Sequence, residues 1–330
     1  MRRLALALCC LFLLPACAAP VVSKQVLVPA PAAEVARLTR LKVTAFDNDD
    51  TGQVRAAVES ALASVVVDGR PYFTVVGASA PTGGLGKPMQ WIDSSRPKVQ
   101  PIRYGAEGTV QGSVGQDGWR NEHYFERRKE CVVEDDKGRC RLWGNSSITC
   151  TRRVAQFSFT PRVVAKDTGE VLLAQEFSES RQSSACPDNG SPASGNSLLA
   201  AARDKAIARF RDHVAPHVVT LDIPLLTEDD SGMNAQVKVL VAGGVDFAKA
   251  GQTDKACKVW RSAAAKHAAG FVLPYLSGVC AELEDNLDQA EGFYAQAEQR
   301  AQQPVPEIAA ALARLKTTRA DLDRLEQQRK

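Results

Sequence analysis

The chain is poor in the residue types on which most catalysis depends. Its 330 residues include four histidines (His123, His213, His217 and His267), and these are scattered. His213 and His217 stand four apart, but Pro216 breaks the helix that would align them, so no metal pair is expected there. No Cys-x-x-Cys occurs, which disfavours zinc, and no Gly-x-Ser-x-Gly marks a serine nucleophile. Gly86-Lys87 is followed by Pro88, and Pro81 stands where a phosphate loop needs glycine. No nucleophile is paired with a base at readable spacing, and no cofactor pattern is seen, so neither catalysis nor a cofactor is expected. Charge of one sign is also lacking: the formal net charge is +3, too small for a dedicated nucleic-acid binder. Outside the extreme N-terminus there is no apolar run of about 18 residues, so no membrane-spanning helix is expected in the mature chain.

What is present begins with an export signal. Residues 1–16, MRRLALALCCLFLLPA, place two arginines before an apolar stretch and a small residue before Cys17. Leu14-Pro15-Ala16-Cys17 resembles a bacterial lipobox, in which the cysteine carries diacylglycerol and becomes the new N-terminus. Ala18 in place of aspartate then implies sorting to the outer membrane, facing the periplasm. Cleavage near Ala18 or Ala19 by an ordinary signal peptidase is the alternative. Without Arg2 and Arg3 the 41 basic residues fall to 39 against 38 acids, so the mature chain is nearly neutral.

Setting aside Cys9, Cys10 and Cys17 leaves six of the nine cysteines, an even number suited to disulfides in an exported chain. Cys257 and Cys280 fall in a helical region and are expected to pair. Cys131, Cys140, Cys150 and Cys186 fall in a strand-rich region and are expected to pair among themselves, with Cys131–Cys140 across a DDKG turn preferred. Free buried thiols are the alternative.

Residues 17–37 read as lipid anchor and tether. Residues 38–226 read as an α+β domain with helices packed on a mostly antiparallel sheet. LKVTAF (41–46) is a buried strand, and Asp50 or Thr51 can cap a helix whose Val54, Ala57, Val58, Ala61, Leu62 and Val65 share a face. PYFTVVG (71–77) follows as a second strand. Residues 78–103 are irregular, and 105–114 is a third strand. Antiparallel hairpins then turn at DDKG and at Asp167-Thr168-Gly169. A helix from about Leu199 to Val214 and a strand over 218–226 end the domain.

After a TEDDSG linker (227–232) the chain becomes Ala-rich helix with an internal repeat over 233–330. Gly244, Ala256, Trp260 and Ala263 recur as Gly278, Ala290, Tyr294 and Ala297, while Ala281 and Asp285 stand where the first copy has Phe247 and Gly251. This matches the tetratricopeptide (TPR) pattern, with repeats at 237–270 and 271–304 and a capping helix at 305–328; a generic Ala-rich bundle is the alternative. By repeat position the concave face would carry Lys238, Val241, Val245, Tyr275, Val279 and Glu282 and bind a protein partner. The same residues could instead pack on the α+β domain.

Two further patterns carry possible chemistry. Asp47-Asn48-Asp49-Asp50-Thr51 fits the D-x-D-x-T motif of haloacid-dehalogenase-type phosphatases, in which Asp47 would be nucleophile and Asp49 a general acid. That chemistry needs a Mg²⁺-binding acidic pair at a later strand end, and Asp135-Asp136 sits in a hairpin turn instead. The plainer reading is a solvated turn and helix cap. The basic cluster Arg127-Arg128-Lys129 is offset by Glu126, Glu130, Glu134 and Asp135; it reads as a solvated strand face, with contact to anionic lipid or peptidoglycan the lesser reading.

The lipobox, RLKVTAFDNDDTG, the amphipathic helix, YFTVVGAS, GAEGTVQGSV and AKDTGEVLLAQEF occur in the order seen in the CsgG-type family, which residues 38–180 resemble. That family includes the curli-secretion lipoprotein and relatives similar to the N-terminal domain of TolB. The resemblance implies a periplasmic α+β domain without catalytic residues. A secretion pore would need membrane hairpins, and the stretch Glu122–Arg153 is charged on both faces. The expectation is a non-catalytic, outer-membrane-anchored scaffold or assembly factor that binds other envelope proteins and no nucleic acid. An oligomeric secretion component is the alternative, and a phosphatase the remote one.

Overall fold

The computed structural model describes residues 19–76 and 107–329; the signal segment, Cys17 and the irregular stretch 78–103 lie outside the described residues. In chain order the elements are β1 (Val21–Val28), α1 (Ala33–Ala36), β2 (Arg40–Asp47), α2 (Gln53–Ala63), β3 (Val66–Val67), β4 (Arg70–Pro71), β5 (Thr74–Val76), β6 (Glu107–Glu134), β7 (Cys140–Ala165), β8 (Val171–Ala174), β9 (Phe177–Ala185), α3 (Gly195–Val214), β10 (His217–Pro224), α4 (Ala235–Lys249), α5 (Thr253–Ala264), α6 (Val272–Leu283), α7 (Leu287–Arg300) and α8 (Pro306–Arg329). They form two compact units, one of residues 19–26 with 219–320, the other of 27–218 with 321–329. Each is interrupted in sequence, unlike the contiguous 38–226 and 233–330 expected from composition.

The sheet unit is α+β. Its sheet runs β5-β2-β6-β7-β8, with β9 also paired to β7. The sheet is mixed: β2 runs parallel to both its neighbours, β5 and β6, while β7 pairs antiparallel with β6, β8 and β9, so most of the sheet is antiparallel as expected. The β2–α2–β5 crossover explains one parallel pair: the helix carries the chain back to the start of the sheet. Val54, Val58 and Leu62 of α2 are buried, as their spacing requires. The helix cap is not Asp50 or Thr51. Asp49 reaches past Gly52, whose φ is +68°, and accepts from Val54 N (3.2 Å) and Arg55 N (2.8 Å). Phe157 and Phe159 of β7 meet Phe177 of β9 and Phe210 of α3 in an aromatic core, with Phe159 edge-on to Phe210 at 5.9 Å.

The residues expected as a tether are partly structured. Val21–Val28 is a strand paired with β10, with Pro20 and Pro29 bounding it rather than unfolding it. The linker over 227–232 is likewise held: Asp229 accepts from Ser231 N (2.9 Å) and Val272 N (3.0 Å), and Ser231 Oγ lies 2.8 Å from His267 Nε2. Burial alone would raise the Asp229 carboxyl above its usual range; the hydrogen bonds outweigh it and hold the group low.

In the helical unit the 34-residue offset has a direct packing meaning. A Cβ on Gly244 would stand 2.1 Å from Trp260 Nε1, and one on Gly278 would stand 2.6 Å from the Tyr294 ring. In each helix pair, therefore, the first helix has no side chain where the second inserts its aromatic. The turns after the first helices also match. Gln252 N bonds Phe247 O and Asn286 N bonds Ala281 O, both at 2.9 Å, around a left-handed residue that is Gly251 in one copy and Asp285 in the other. Gly244→Ala is expected to destabilise by about 1–3 kcal/mol through overpacking against Trp260, which is buried. Gly243→Ala, whose Cβ meets nothing within 4 Å, is expected to be neutral or mildly stabilising. Paired urea titrations check this; equal midpoints for the two variants would contradict it.

Candidate functional arm

All six cysteines among the described residues are bonded: Cys131–Cys140, Cys150–Cys186 and Cys257–Cys280. The carboxylate of Glu126 lies beside Cys150 and Cys186, but sulfurs committed to a disulfide supply no thiolate to a metal. Asp47 is exposed at the end of β2, and the Asp49 carboxylate is taken up by the start of α2.

The six residues expected to line a concave binding face differ in exposure. Lys238 is exposed, but Val241, Val245, Tyr275, Val279 and Glu282 are buried. Their cover comes from the chain itself. Val22 of β1, together with Ile223 and Leu225 in and just after β10, joins the same core cluster. The Tyr275 hydroxyl donates to Pro224 O at 2.8 Å, and Lys24 Nζ reaches Glu282 O and Asp285. These five residues are thus covered by the chain's own extended segments. Glu282 also accepts from Tyr294 (2.7 Å) and from Arg314 through Nε (2.7 Å) and Nη2 (2.9 Å). Burial pushes the Tyr275 hydroxyl up to about 12, and burial plus the Glu282 carboxylate pushes Tyr294 up further. Both tyrosines stay neutral donors.

The exposed feature of the sheet unit is the outer half of the β6–β7 hairpin. Two separate expected elements, the strand over 105–114 and the hairpin around DDKG, are one continuous ladder from Gly108↔Ala165 to Glu134↔Cys140. β2 leaves β6 at Ser113 and β9 leaves β7 at Thr151, so residues 124–134 and 140–150 pair only with each other. At about 3.3 Å per residue this arm is about 35 Å long. A two-stranded ribbon of this kind is marginal in water by itself. Here it is braced at both ends, by Cys150–Cys186 at the root and Cys131–Cys140 near the tip. At the tip Asp135 accepts from Arg139 N and Lys137 N, and these bonds hold its carboxyl below the usual range.

The arm exposes large apolar side chains that no core claims: Phe125 (75 % exposed), Val132 (63 %), Trp143 (61 %), Leu142 and Val133. Neither composition nor spacing marks these five residues. A hint lay in the sequence all the same, since RLW and CVV stand beside charged residues with no helix or sheet face to receive them.

No protein-family model and no curated protein matches the chain. Among solved structures the chain is similar to a neuraminyllactose-binding hemagglutinin homolog from Helicobacter pylori, at 9% identity over 54% of this chain and 81% of that one. The TM-score is 0.25, a likeness that carries no argument about fold or function.

Proposed function

We propose that the protein is a non-catalytic periplasmic lipoprotein, anchored in the outer membrane through Cys17, that acts as a scaffold or assembly factor for an envelope complex. The observation that carries this reading is the braced arm. Two disulfides hold a ribbon whose apolar residues contribute nothing to either core, an arrangement that suits docking. The disulfides suit an oxidising compartment. Strand β1 begins at Val21, four residues after Cys17 in sequence, so a lipid on that cysteine would hold the first unit close to the bilayer. We read the sheet unit as CsgG-type and the helix pairs as TPR-type, with the concave TPR face occupied in cis and the tip and free strand edges of the arm left to a partner.

An oligomeric secretion component is the second reading, because an arm of about 35 Å exceeds the roughly 30 Å of a hydrocarbon core. Against it, neither broad face of the arm is apolar. One carries Arg127 and Lys129, the other Glu122, Glu126, Arg128 and Glu130.

Cys17→Ser is expected to move the protein from the membrane to the soluble periplasmic fraction, and a photo-crosslinker at Val132 in intact cells is expected to give a discrete adduct with an envelope protein. Sizing of the detergent-extracted protein is expected to show a monomer or dimer. Membrane retention of Cys17→Ser would remove the anchor, and a large symmetric ring would replace the scaffold with a secretion channel.

A further inference from the structure

Between Trp119 and Cys131 on β6, and between Trp143 and Ala155 on β7, the register is unbroken, so directly opposed residues share a face. One face carries Phe125 with Thr149, Arg127 with Ser147, Lys129 with Asn145, and Cys131 with Trp143. The opposite face carries Glu122, Tyr124, Glu126, Arg128 and Glu130. Every acid of this stretch therefore lies on the second face. The basic triplet that looks like one cluster in the sequence is split by the pleat. Arg128 points to the second face, where it pairs with Glu126 (2.9 Å) and with Asp188. Arg127 and Lys129 point to the first, exposed and without an ion-pair partner among the described residues. The first face is also the outward continuation of the core face of β7, whose Ala155, Phe157, Phe159, Val163 and Ala165 are buried.

We infer that the first face of the arm lies flat on a membrane surface bearing anionic phospholipid. Two unpaired cations meet the phosphates, while Phe125 and Trp143 enter the boundary between headgroups and acyl chains; serine, threonine and asparagine fill the remaining positions. The face is an open ribbon surface with an aromatic toward each end and cations between them, a flat pattern that matches a bilayer interface. The acids point away from it. The tip and the strand edges stay open to the partner proposed above. The inference extends the lipoprotein reading, and it is tested without the anchor so that the two can fail separately.

The chain from Ala18 onward, which keeps every described residue, is mixed with vesicles of phosphatidylglycerol and phosphatidylcholine in equal parts, and with vesicles of phosphatidylcholine alone. Binding is expected to the first and to be at least tenfold weaker to the second. Arg127→Gln with Lys129→Gln is expected to weaken binding about thirtyfold, from about a fivefold loss per cation removed. Lys249→Gln with Lys258→Gln, an equal loss of charge from exposed helix positions, is expected to leave it unchanged. The fluorescence of the bound protein is expected to shift to the blue, and Trp143→Phe to remove most of that shift. Circular dichroism and the count of bonded cysteines confirm that each variant is folded. Equal binding to both vesicle types, no binding to either, or equal losses from the arm and helix variants would overturn the inference. So would tighter binding to a soluble acidic polypeptide than to the vesicles, which would assign the face to an acidic protein, or release of vesicle contents, which would indicate a spanning arm.

Discussion

Arg314→Met is expected to destabilise the helical unit by about 3–5 kcal/mol, the cost of leaving a buried carboxylate without its cation. The Glu282 side chain is 4% exposed and Arg314 15%. The guanidinium grips both carboxylate oxygens, and Tyr294 adds one neutral donor that cannot replace a charge. The pair as a whole need not be strongly stabilising, since both charges lose their water. Glu282→Leu together with Arg314→Met is therefore expected to recover most of the loss. Urea denaturation of the two variants, followed by far-ultraviolet circular dichroism, measures the difference. If the double variant is as unstable as Arg314→Met, the damage is lost packing and not the stranded charge.

Removing Cys257–Cys280 by Cys257→Ala and Cys280→Ala is expected to cost about 3 kcal/mol, from the unfolded-chain entropy restored when a loop of 23 residues is opened. Both sulfurs belong to nearly buried residues, 3% and 1% exposed, in α5 and α6. A phosphine reductant under native conditions is accordingly expected to open the half-exposed Cys131–Cys140 bond first and Cys257–Cys280 only when the unit unfolds. Mass spectrometry after timed alkylation gives the order. Early loss of Cys257–Cys280 would show that the α5–α6 contact opens locally.

The readable parts of the sequence were those where one physical rule acts alone. The 34-residue offset was visible because a missing Cβ opposite an aromatic leaves the same trace twice, at Gly244 with Trp260 and at Gly278 with Tyr294. The helical face of α2 and the turn at DDKG were visible because periodicity and turn chemistry are local. What stayed hidden depends on distant partners. Val21–Val28 reads as tether because its pairing strand lies almost two hundred residues away. By repeat spacing Val241, Val245, Tyr275, Val279 and Glu282 are expected on a concave face, but spacing says nothing of the strand residues that cover them. The arm reads as separate pieces because a ribbon open to water on both sides has no apolar alternation to mark its length. For the same reason Arg127-Arg128-Lys129 looked like one basic patch, although adjacent strand residues point to opposite faces.

The pairing of β1 with β10 also has a temporal side. A chain synthesised from its N-terminus presents Val22 long before Ile223 and Leu225 exist, and the helical unit cannot complete its interior until residues 219–320 have followed. Ala30 waits longer still, for the amide of Gln328, which bonds both its N–H (3.1 Å) and its carbonyl (2.8 Å). A fragment beginning at 233 would therefore emerge with its apolar groove open and prone to aggregate, whereas adding the leading strand in trans, as a separate peptide, would be a direct way to close it.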